Sequence, residues 1–322
     1  MKIVFQHLGV LPVVKYGGIE RILFWHMKEL ASRGHNVVLI GNKDSDVERY
    51  GIELIESPLE MEEIEEVIPK DADLLHLTFN YELKKREIPV LYNIQGNGQI
   101  GEKFSRNTVF VSRRHAENHG AESFIYNAID FEEYPYKDRP YKLDELMFLA
   151  KGSWSVKNLK HCVWAAKKSK KKLHIAGGRT FLPSRYVVSH GMVGGDEKLE
   201  ILKKTDALLF PVRWHEPFGI AIIEAMAMGS PVFGSPYGSL PELINEDTGF
   251  ICHNKFELLE KILINKDFKR SSIRAYTQEK FSISRLTDDY INAYERIING
   301  ESLNREIPSW QLEKPPLELL DF

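Results

Sequence analysis

Short apolar runs alternate with stretches of helical periodicity along most of this chain, and that alternation constrains its fold more than any other feature. Such a pattern is typical of α/β proteins with parallel sheets. In the first half, the predicted helices include Gly18–Arg33 and the acidic stretch Glu60–Val67. The predicted strands of this half lie near Ile3–Gln6, Val37–Gly41, Leu74–Leu77, Val90–Ile94, Val109–Val111 and Phe124–Tyr126.

The pattern restarts in the second half, which predicts a second domain. Between the halves, Phe131–Tyr141 is polar, aromatic and interrupted by two prolines, as expected for a linker. The predicted domains are therefore residues 1–135 and 142–283, and a chain of 322 residues is long enough for both. The predicted strands of the second half are Met147–Ala150, Leu173–Ala176, Ala207–Pro211 and Val232–Gly234.

The composition indicates a globular, water-soluble chain. With a formal net charge of −3, there is no overall field that would favour nucleic acid. Two cysteines, Cys162 and Cys252, argue against a disulfide framework and favour a reducing compartment. The first apolar run is too short for a signal peptide, and no stretch approaches the ~20 apolar residues that span a bilayer. We expect a cytoplasmic protein, and the basic cluster Lys167–Lys172 leaves peripheral contact with the inner face of the membrane open.

The segment Arg213–Glu242 is the most informative one for function. Glu216 precedes a Pro-Phe-Gly turn, Gly219 lets the chain enter a predicted helix, and Glu224 lies about one and a half turns into it. The free N–H groups and the positive dipole end of such a helix favour a phosphate. Because ionised carboxylates accept hydrogen bonds from hydroxyls, the combination indicates a nucleotide sugar.

Two glutamates eight positions apart also suit an ordinary amphipathic core helix with solvated acids, so the residues around them decide. The segment resembles the donor-site signature of the retaining glycosyltransferases of family four, the group 1 or glycogen-synthase-like enzymes. That signature contains Glu, seven residues, Glu, a helix end of small residues, Gly-x-Pro-Val and Gly-x-x-Glu. The matching residues are Glu216, Glu224, Gly229, Pro231, Val232, Gly238 and Glu242.

The resemblance implies a fold and an activity. The fold would be GT-B: two facing Rossmann-like, doubly wound α/β domains with a cleft between them. The C-terminal helix and tail, residues 284–322, would complete the first, acceptor-side domain. The activity would transfer a hexose or N-acetylhexosamine from a nucleoside diphosphate sugar to an acceptor hydroxyl, with retention of the anomeric configuration. The product would be a glycan, a glycolipid or a glycoside.

Two glycines and two lysines are predicted to contact the donor diphosphate. Gly17 and Gly18 follow the first strand and resemble the Gly-Gly-x-Glu-Arg loop of the family. A lone Gly-Gly would favour a plain loop-to-helix turn, but this position and this likeness favour contact with the diphosphate. Lys157 matches the family's phosphate-binding lysine, and Lys151 stands nearest to a family arginine that is missing here. Lysine lacks the bidentate fork of arginine, and either lysine could instead be a solvated surface group.

The resemblance also implies roles for three other side chains. Glu224 would hold the ribose hydroxyls, and Glu216 would hold sugar hydroxyls near the reacting carbon. Gln95 stands where the family often has a histidine near the donor sugar, and it forms hydrogen bonds without titrating. With Lys157, Glu216 and Gln95 form the predicted catalytic set. The backbone amides near the sugar would be those of Phe218, Gly219 and Ile220.

No metal site and no resident cofactor are predicted, because the histidines and cysteines lack ligand spacing. The expected ligands are a nucleotide sugar and a saccharide, lipid-linked or small-molecule acceptor, and no nucleic acid. Two alternatives stay open. One is a phosphorylase or epimerase with the same fold. The other is a non-catalytic nucleotide-sugar-binding protein, which Gln95 and the missing arginine favour.

Overall fold

A computed structural model describes residues 1–13, 17–58, 63–179, 184–264 and 266–322. These residues form two compact units. Unit 1 consists of residues 1–13, 17–128 and 283–313, and unit 2 consists of residues 314–322 and the described residues of 129–282. Each unit contains a six-stranded parallel sheet with helices packed against it, so the predicted α/β fold class is confirmed.

Unit 1 begins with alternating strands and helices around a buried central strand, in which Ile3, Val4 and Phe5 are fully buried. The strand order is β3-β2-β1-β4-β5-β6, the order of a Rossmann sheet, and its winding reverses between β1 and β4. These elements are β1 (Lys2–His7), α1 (Gly18–Ser32), β2 (Asn36–Gly41), β3 (Ile52–Glu56), α2 (Ile64–Val67), β4 (Leu74–Leu77), β5 (Val90–Ile94), β6 (Thr108–Phe110) and α3 (Arg113–Asn118).

Unit 2 repeats this winding with the strand order β12-β11-β10-β7-β8-β9, and its reversal lies between β7 and β10. Its core contains Phe148 of β7, Leu209 of β10 and Phe233 of β11, all fully buried. The elements are β7 (Glu145–Leu149), α4 (Leu159–Ser169), β8 (Lys172–Ala176), β9 (Val187–Gly191), α5 (Gly195–Lys204), β10 (Ala207–Phe210), α6 (Ile220–Ala227), β11 (Val232–Gly234), α7 (Leu240–Leu243), β12 (Gly249–Ile251), α8 (Lys255–Ile264) and α9 (Arg270–Phe281).

The chain returns to unit 1 through α10 (Ile283–Ile298), which packs against α1 and β5. The hydroxyl of Tyr294 on α10 lies 2.8 Å from Nε2 of His26 on α1 and 2.7 Å from Nδ1 of His76 on β4. A network of hydrogen bonds between buried side chains therefore ties this helix to the sheet of unit 1.

The last residues depart from the predicted division, which assigned all of 284–322 to the first domain. Residues 314–322 belong to unit 2. Leu320 N donates to Arg213 O at 2.8 Å, and Arg213 Nε donates back to Leu320 O at 2.6 Å. The other boundary also moves, because Ile129 already lies in unit 2 and donates its N–H to Phe281 O at 3.0 Å.

The sequence prediction missed three strands, all of them at sheet edges: β3, β9 and β12. These three strands are only partly buried, so they lack a continuous buried apolar run. The predicted strand Phe124–Tyr126 is wrong; Phe124 forms an isolated bridge with Phe110. Of the predicted helix Glu60–Val67, residues 60–62 lie outside the described residues. Within the described ranges, none of the helices combines the length and the apolar character needed to cross a bilayer.

Candidate functional site

The candidate site of unit 2 lies at the carboxyl ends of β7 and β10, the paired strands at which the winding of the sheet reverses. The loop after β7 carries Lys151 and Lys157, and the loop after β10 carries Glu216. Doubly wound sheets bind ligands at such a point, because the adjoining loops diverge to opposite faces and leave a crevice. The topology of unit 2 thus places these predicted residues where a ligand site is expected.

Lys157 and Glu216 form a buried ion pair. Lys157 Nζ lies 2.5 Å from Glu216 Oε2, and the two side chains are 12% and 8% exposed. Trp214 Nε1 donates to the same carboxylate oxygen at 2.7 Å, and the Trp214 ring centroid lies 4.7 Å from the ammonium. Charge-assisted hydrogen bonds and an aromatic face therefore hold the ammonium in a fixed position.

The backbone of Glu216 is fixed by a glycine turn. Gly238 has a φ of +61°, and a Cβ at this position would lie 2.2 Å from the carbonyl oxygen of Glu216. The next residue, Ser239, donates its N–H to that oxygen at 3.0 Å and its hydroxyl to Phe218 O at 2.6 Å. A side chain at position 238 would force these contacts apart, which explains the glycine of the Gly-x-x-Glu turn.

The chain enters α6 through Gly219, whose φ of +87° favours glycine. The first N–H groups of a helix, which here begin at Ile220, generally lack an acceptor within the helix; that of Ile222 donates to Gly219 O at 2.9 Å. Phe218 is 2% exposed and packs edge-on against Phe281. The aromatic anchor and the glycine together set the direction in which the start of α6 points.

Glu224 lies further along α6 and is 6% exposed. The hydroxyl of Tyr134 donates to Glu224 Oε1 at 2.6 Å, and Lys198 of α5 forms an ion pair with the same oxygen. Unit 2 therefore contains a second buried lysine–carboxylate pair, with a tyrosine as additional donor. The sequence analysis expected this carboxylate to project toward a ligand and did not predict these two partners.

Lys151 occupies a different environment from Lys157. It is exposed, and its Nζ lies 5.1 Å from the ring centroid of Trp154. In the described part of the chain it has no ion-pair partner. Trp154 in turn meets Trp214 edge-to-face at 6.4 Å. Lys151 thus stands at the solvent side of an aromatic pair whose other member contacts the Lys157–Glu216 pair.

The predicted residues of unit 1 lie at the carboxyl ends of its own strands. Gly17 immediately precedes α1 with a φ of +148°, a conformation that side chains rarely adopt, and Gly18 begins the helix. Gln95 follows β5, and its amide is held by neighbours. Gln95 Nε2 donates to Asn93 Oδ1 at 2.5 Å, and Asn127 Nδ2 donates to Gln95 Oε1 at 2.8 Å.

A small pocket of unit 1 is lined by Gln95, Asn93, His76 and Thr78 together with apolar residues of α1. His76 Nε2 and Asn93 Nδ2 are buried and have no hydrogen-bond partner among the described residues. Burial lowers the pKa of His76 to about 3, so its ring is neutral. Gln95 therefore lies beside buried polar atoms with unused hydrogen-bonding capacity.

Metal binding was not predicted from the sequence. Among the described residues, no group of three or more His, Cys, Asp or Glu side chains is placed to hold a metal ion.

The comparisons with known proteins bear on both units. The family model described as "Glycosyl transferases group 1" matches residues 145–264. An uncharacterized glycosyltransferase, MJ1607 of Methanocaldococcus jannaschii, is 30% identical over 118 residues, which are 34% of this chain and 30% of that relative. We refer to residues 145–264, which match this family model, as the glycosyltransferase domain. This glycosyltransferase domain contains Lys157, Glu216 and Glu224.

Solved structures resemble the chain over most of its length. AviGT4, a glycosyltransferase involved in avilamycin A biosynthesis, gives a TM-score of 0.76 at 20% identity over 93% of this chain and 98% of that chain. The Anabaena protein Alr3699/HepE, solved with UDP and glucose, gives 0.64 at 15% identity over 92% and 99%. These likenesses concern the fold and agree with the predicted GT-B class. The chain spans about a third of the length of the curated relatives it matches.

Three residues of unit 2 were missed in the sequence analysis. Trp214, two positions before Glu216, could have been noticed as an indole N–H donor close to a carboxylate. Tyr134 was placed in the predicted linker, and Lys198 lies on a helix with several other charged residues. Neither carries a local sequence signal for its contact with Glu224, since 90 and 26 positions respectively separate the partners.

Proposed function

We propose that the chain is a glycosyltransferase that moves a hexose or N-acetylhexosamine from a nucleoside diphosphate sugar to a hydroxyl group, with retention of the anomeric configuration. The observation that carries this proposal is the buried Lys157–Glu216 pair at the winding reversal of the glycosyltransferase domain. A fixed ammonium at this point suits a diphosphate leaving group, and a fixed carboxylate suits sugar hydroxyls.

In the proposed reaction, the bond between the anomeric carbon and the donor phosphate breaks while a bond to the acceptor oxygen forms on the same face. The acceptor proton leaves with the departing phosphate, so no titrating base is required. Lys157, supported by the exposed Lys151, stabilises the negative charge that develops on the diphosphate. In this proposal the backbone at Gly17 and Gly18 lies close to the same diphosphate and contacts it.

The remaining roles follow from the carboxylates. Glu216 accepts hydrogen bonds from sugar hydroxyls near the reacting carbon, with the amides of Phe218, Gly219 and Ile220 beside it. Glu224 holds the ribose hydroxyls, and its contacts with Lys198 and Tyr134 orient its carboxylate. Gln95 donates to the transferred sugar. Support for a nucleotide donor comes from the structural likeness to HepE, which was solved with UDP-glucose.

The first experiment is a screen of nucleoside diphosphates and nucleotide sugars for thermal stabilisation. A ligand present at 100 times its dissociation constant stabilises a protein by ~2.7 kcal/mol, which shifts the melting temperature measurably. The donor identified is then incubated with saccharide, lipid-linked and small-molecule acceptors, with and without a chelator. NMR of the product gives the anomeric configuration. An inverted product, or activity that the chelator abolishes, would contradict the retaining, metal-independent mechanism.

A second candidate function is donor binding without catalysis. It is favoured by Gln95, whose amide is already engaged with Asn93 and Asn127. Slow hydrolysis of a bound nucleotide sugar in the absence of acceptor distinguishes the two functions. Hydrolysis that Glu216→Gln removes supports the enzyme, whereas tight donor binding with no turnover of any kind supports the binding protein.

A further inference from the structure

Helix α8 is apolar on both of its sides. Leu258 and Ile262 are fully buried in the core of unit 2, as expected for the inner face of a surface helix. The outer residues Phe256, Leu263 and Ile264 are 66%, 57% and 55% exposed. Phe256 and Leu263 are seven positions apart and so share one side of the helix. Surface helices normally place polar residues there, and exposed apolar clusters mark interaction sites.

The neighbouring helix α4 supplies a high density of positive charge. It packs against α8, with the ring of Trp164 lying 5.6 Å from that of Phe256. The sequence from 159 to 172 contains no acidic residue, although the whole chain has a net charge of −3. Its exposed lysines, none of which is ion-paired with a described residue, are Lys160, Lys167, Lys168 and Lys170.

We propose that these residues form a docking surface for an anionic lipid membrane, which we name the α4–α8 face. It consists of Phe256, Leu263 and Ile264 on α8, of Lys160, Lys167 and Lys168 on α4, and of Lys170 directly after α4. Apolar side chains of this kind enter the boundary between headgroups and acyl chains, and lysines beside them bind the negative headgroups. The charge of the face selects the partner, because exposed apolar residues without lysines would not distinguish anionic from neutral lipid.

One acidic side chain interrupts the face. Glu260, one turn beyond Phe256, is exposed, and Lys261 Nζ lies 3.5 Å from its carboxylate. Lys255 adds a further cation, since its Nζ lies 5.1 Å from the ring centroid of Phe256. The charges around the apolar side chains therefore remain positive in sum. The proposal goes beyond the proposed function and uses none of the residues assigned to the donor site.

The test is cosedimentation of the full chain with vesicles of phosphatidylcholine alone or with about one third phosphatidylglycerol. We expect binding to the anionic vesicles at low salt, weak binding to the neutral ones, and loss of binding at about 1 M salt. Lys167→Glu with Lys168→Glu should weaken binding about 25-fold or more, since each lysine contributes roughly fivefold. Phe256→Ser with Leu263→Ser should weaken it on the order of tenfold or more.

Matched pairs from unit 1 serve as controls: Leu8→Ser with Ile100→Ser for exposed apolar residues, and Lys43→Glu with Lys103→Glu for exposed lysines. Both controls should bind anionic vesicles like the parent. All substituted residues are exposed, so each variant should keep the parent melting temperature. No binding to anionic vesicles, or equal losses in the α4–α8 and unit 1 variants, would overturn the proposal.

The α4–α8 face could instead bind a second copy of the chain, and light scattering without lipid tests this by measuring the oligomeric state. A dimer that Phe256→Ser with Leu263→Ser dissociates would assign the face to self-association and would also overturn the proposal. Measuring donor binding by the same variants separates the two proposals. If vesicle binding is lost while donor binding is unchanged, the substitutions affect only the α4–α8 face.

Discussion

Lys157 Nζ and Glu216 Oε2 lie 2.5 Å apart although 59 positions separate the two residues along the chain. The pair exists because β7 and β10 are neighbours in the sheet, so the loops that follow them meet. Burial makes each partner dependent on the other, since a lone charge in this position would lose its solvation without compensation.

Lys157→Met should therefore destabilise the protein by about 3 kcal/mol, because it leaves the Glu216 carboxylate buried beside a single indole donor. Urea unfolding measures this loss. The double variant Lys157→Met with Glu216→Leu should regain most of the stability yet remain inactive. Recovery of activity together with stability would show that the pair only supports the fold. Lys151→Met serves as the exposed control and should change stability by less than about 0.5 kcal/mol.

Glu216→Gln should lower turnover while nucleotide binding stays nearly intact, because we place its carboxylate on the transferred sugar. A charge-assisted hydrogen bond contributes about 1.5–3 kcal/mol, or roughly ten- to over a hundredfold in rate if it acts at the transition state. Steady-state kinetics at saturating donor and titration with the nucleoside diphosphate provide the two measurements. Equal loss of nucleotide and nucleotide-sugar affinity, with unchanged turnover, would contradict this role.

Glu224→Ala should weaken binding of the nucleoside diphosphate and, unlike a solvated acid, should also lower the melting temperature. The temperature effect arises because Lys198 loses its partner inside unit 2. Tyr134→Phe is the matched control: it removes one hydrogen bond to Glu224 and leaves the carboxylate and Lys198 in place. It should cost about 1 kcal/mol and retain most nucleotide affinity. Unchanged affinity in Glu224→Ala would assign a purely structural role to this pair.

Gln95→Ala should impair transfer, and Gln95→His should retain part of it, since both glutamine and histidine can reach a sugar hydroxyl. Only the histidine variant should gain a pH dependence near neutrality. Transfer rates against pH for the parent and both variants test this. Asn127→Ala removes one of the groups that hold the Gln95 amide and serves as a control for its orientation. An alanine variant as active as the parent would remove Gln95 from the site.

The stability of the protein should fall as the pH drops below about 6.5. Burial lowers the pKa of His76 to about 3 and lowers that of His26 well below its ordinary value. Below pH 6.5 the unfolded chain binds protons that the native state does not, and each histidine then costs about 1.4 kcal/mol per pH unit. Above pH 6.5 this effect is absent.

Urea unfolding at about pH 7.5, 6.5 and 5.5 measures this slope. His76→Gln should reduce the slope, because it removes one of the buried histidines whose pKa is strongly lowered, the others being His26 and His115. His253→Gln, which changes a side chain that is 67% exposed, serves as the matched variant at the surface. A slope that persists in full in His76→Gln would show that other groups cause the acid sensitivity.

The sequence by itself determined the α/β class and the segment that carries the site. Central strands such as β4 and β5 are buried on both faces, so their apolar runs predicted them to the residue. The pattern from Glu216 to Glu242 marked the carboxylates because the turn at Gly238 and the helix entry at Gly219 need glycine for local steric reasons. Local steric constraints of this kind involve residues that are close in the sequence, so the sequence alone reveals them.

The tertiary structure decided the partners. That Lys157 pairs with Glu216, that Lys198 and Tyr134 hold Glu224, and that residues 314–322 pack with unit 2 all depend on contacts between distant segments. The order of strands in the sheet determines which loops meet, and that order cannot be inferred from residues that are neighbours in the sequence. The edge strands β3, β9 and β12 were missed for a related reason: their stability comes from pairing with one neighbour rather than from an apolar run of their own.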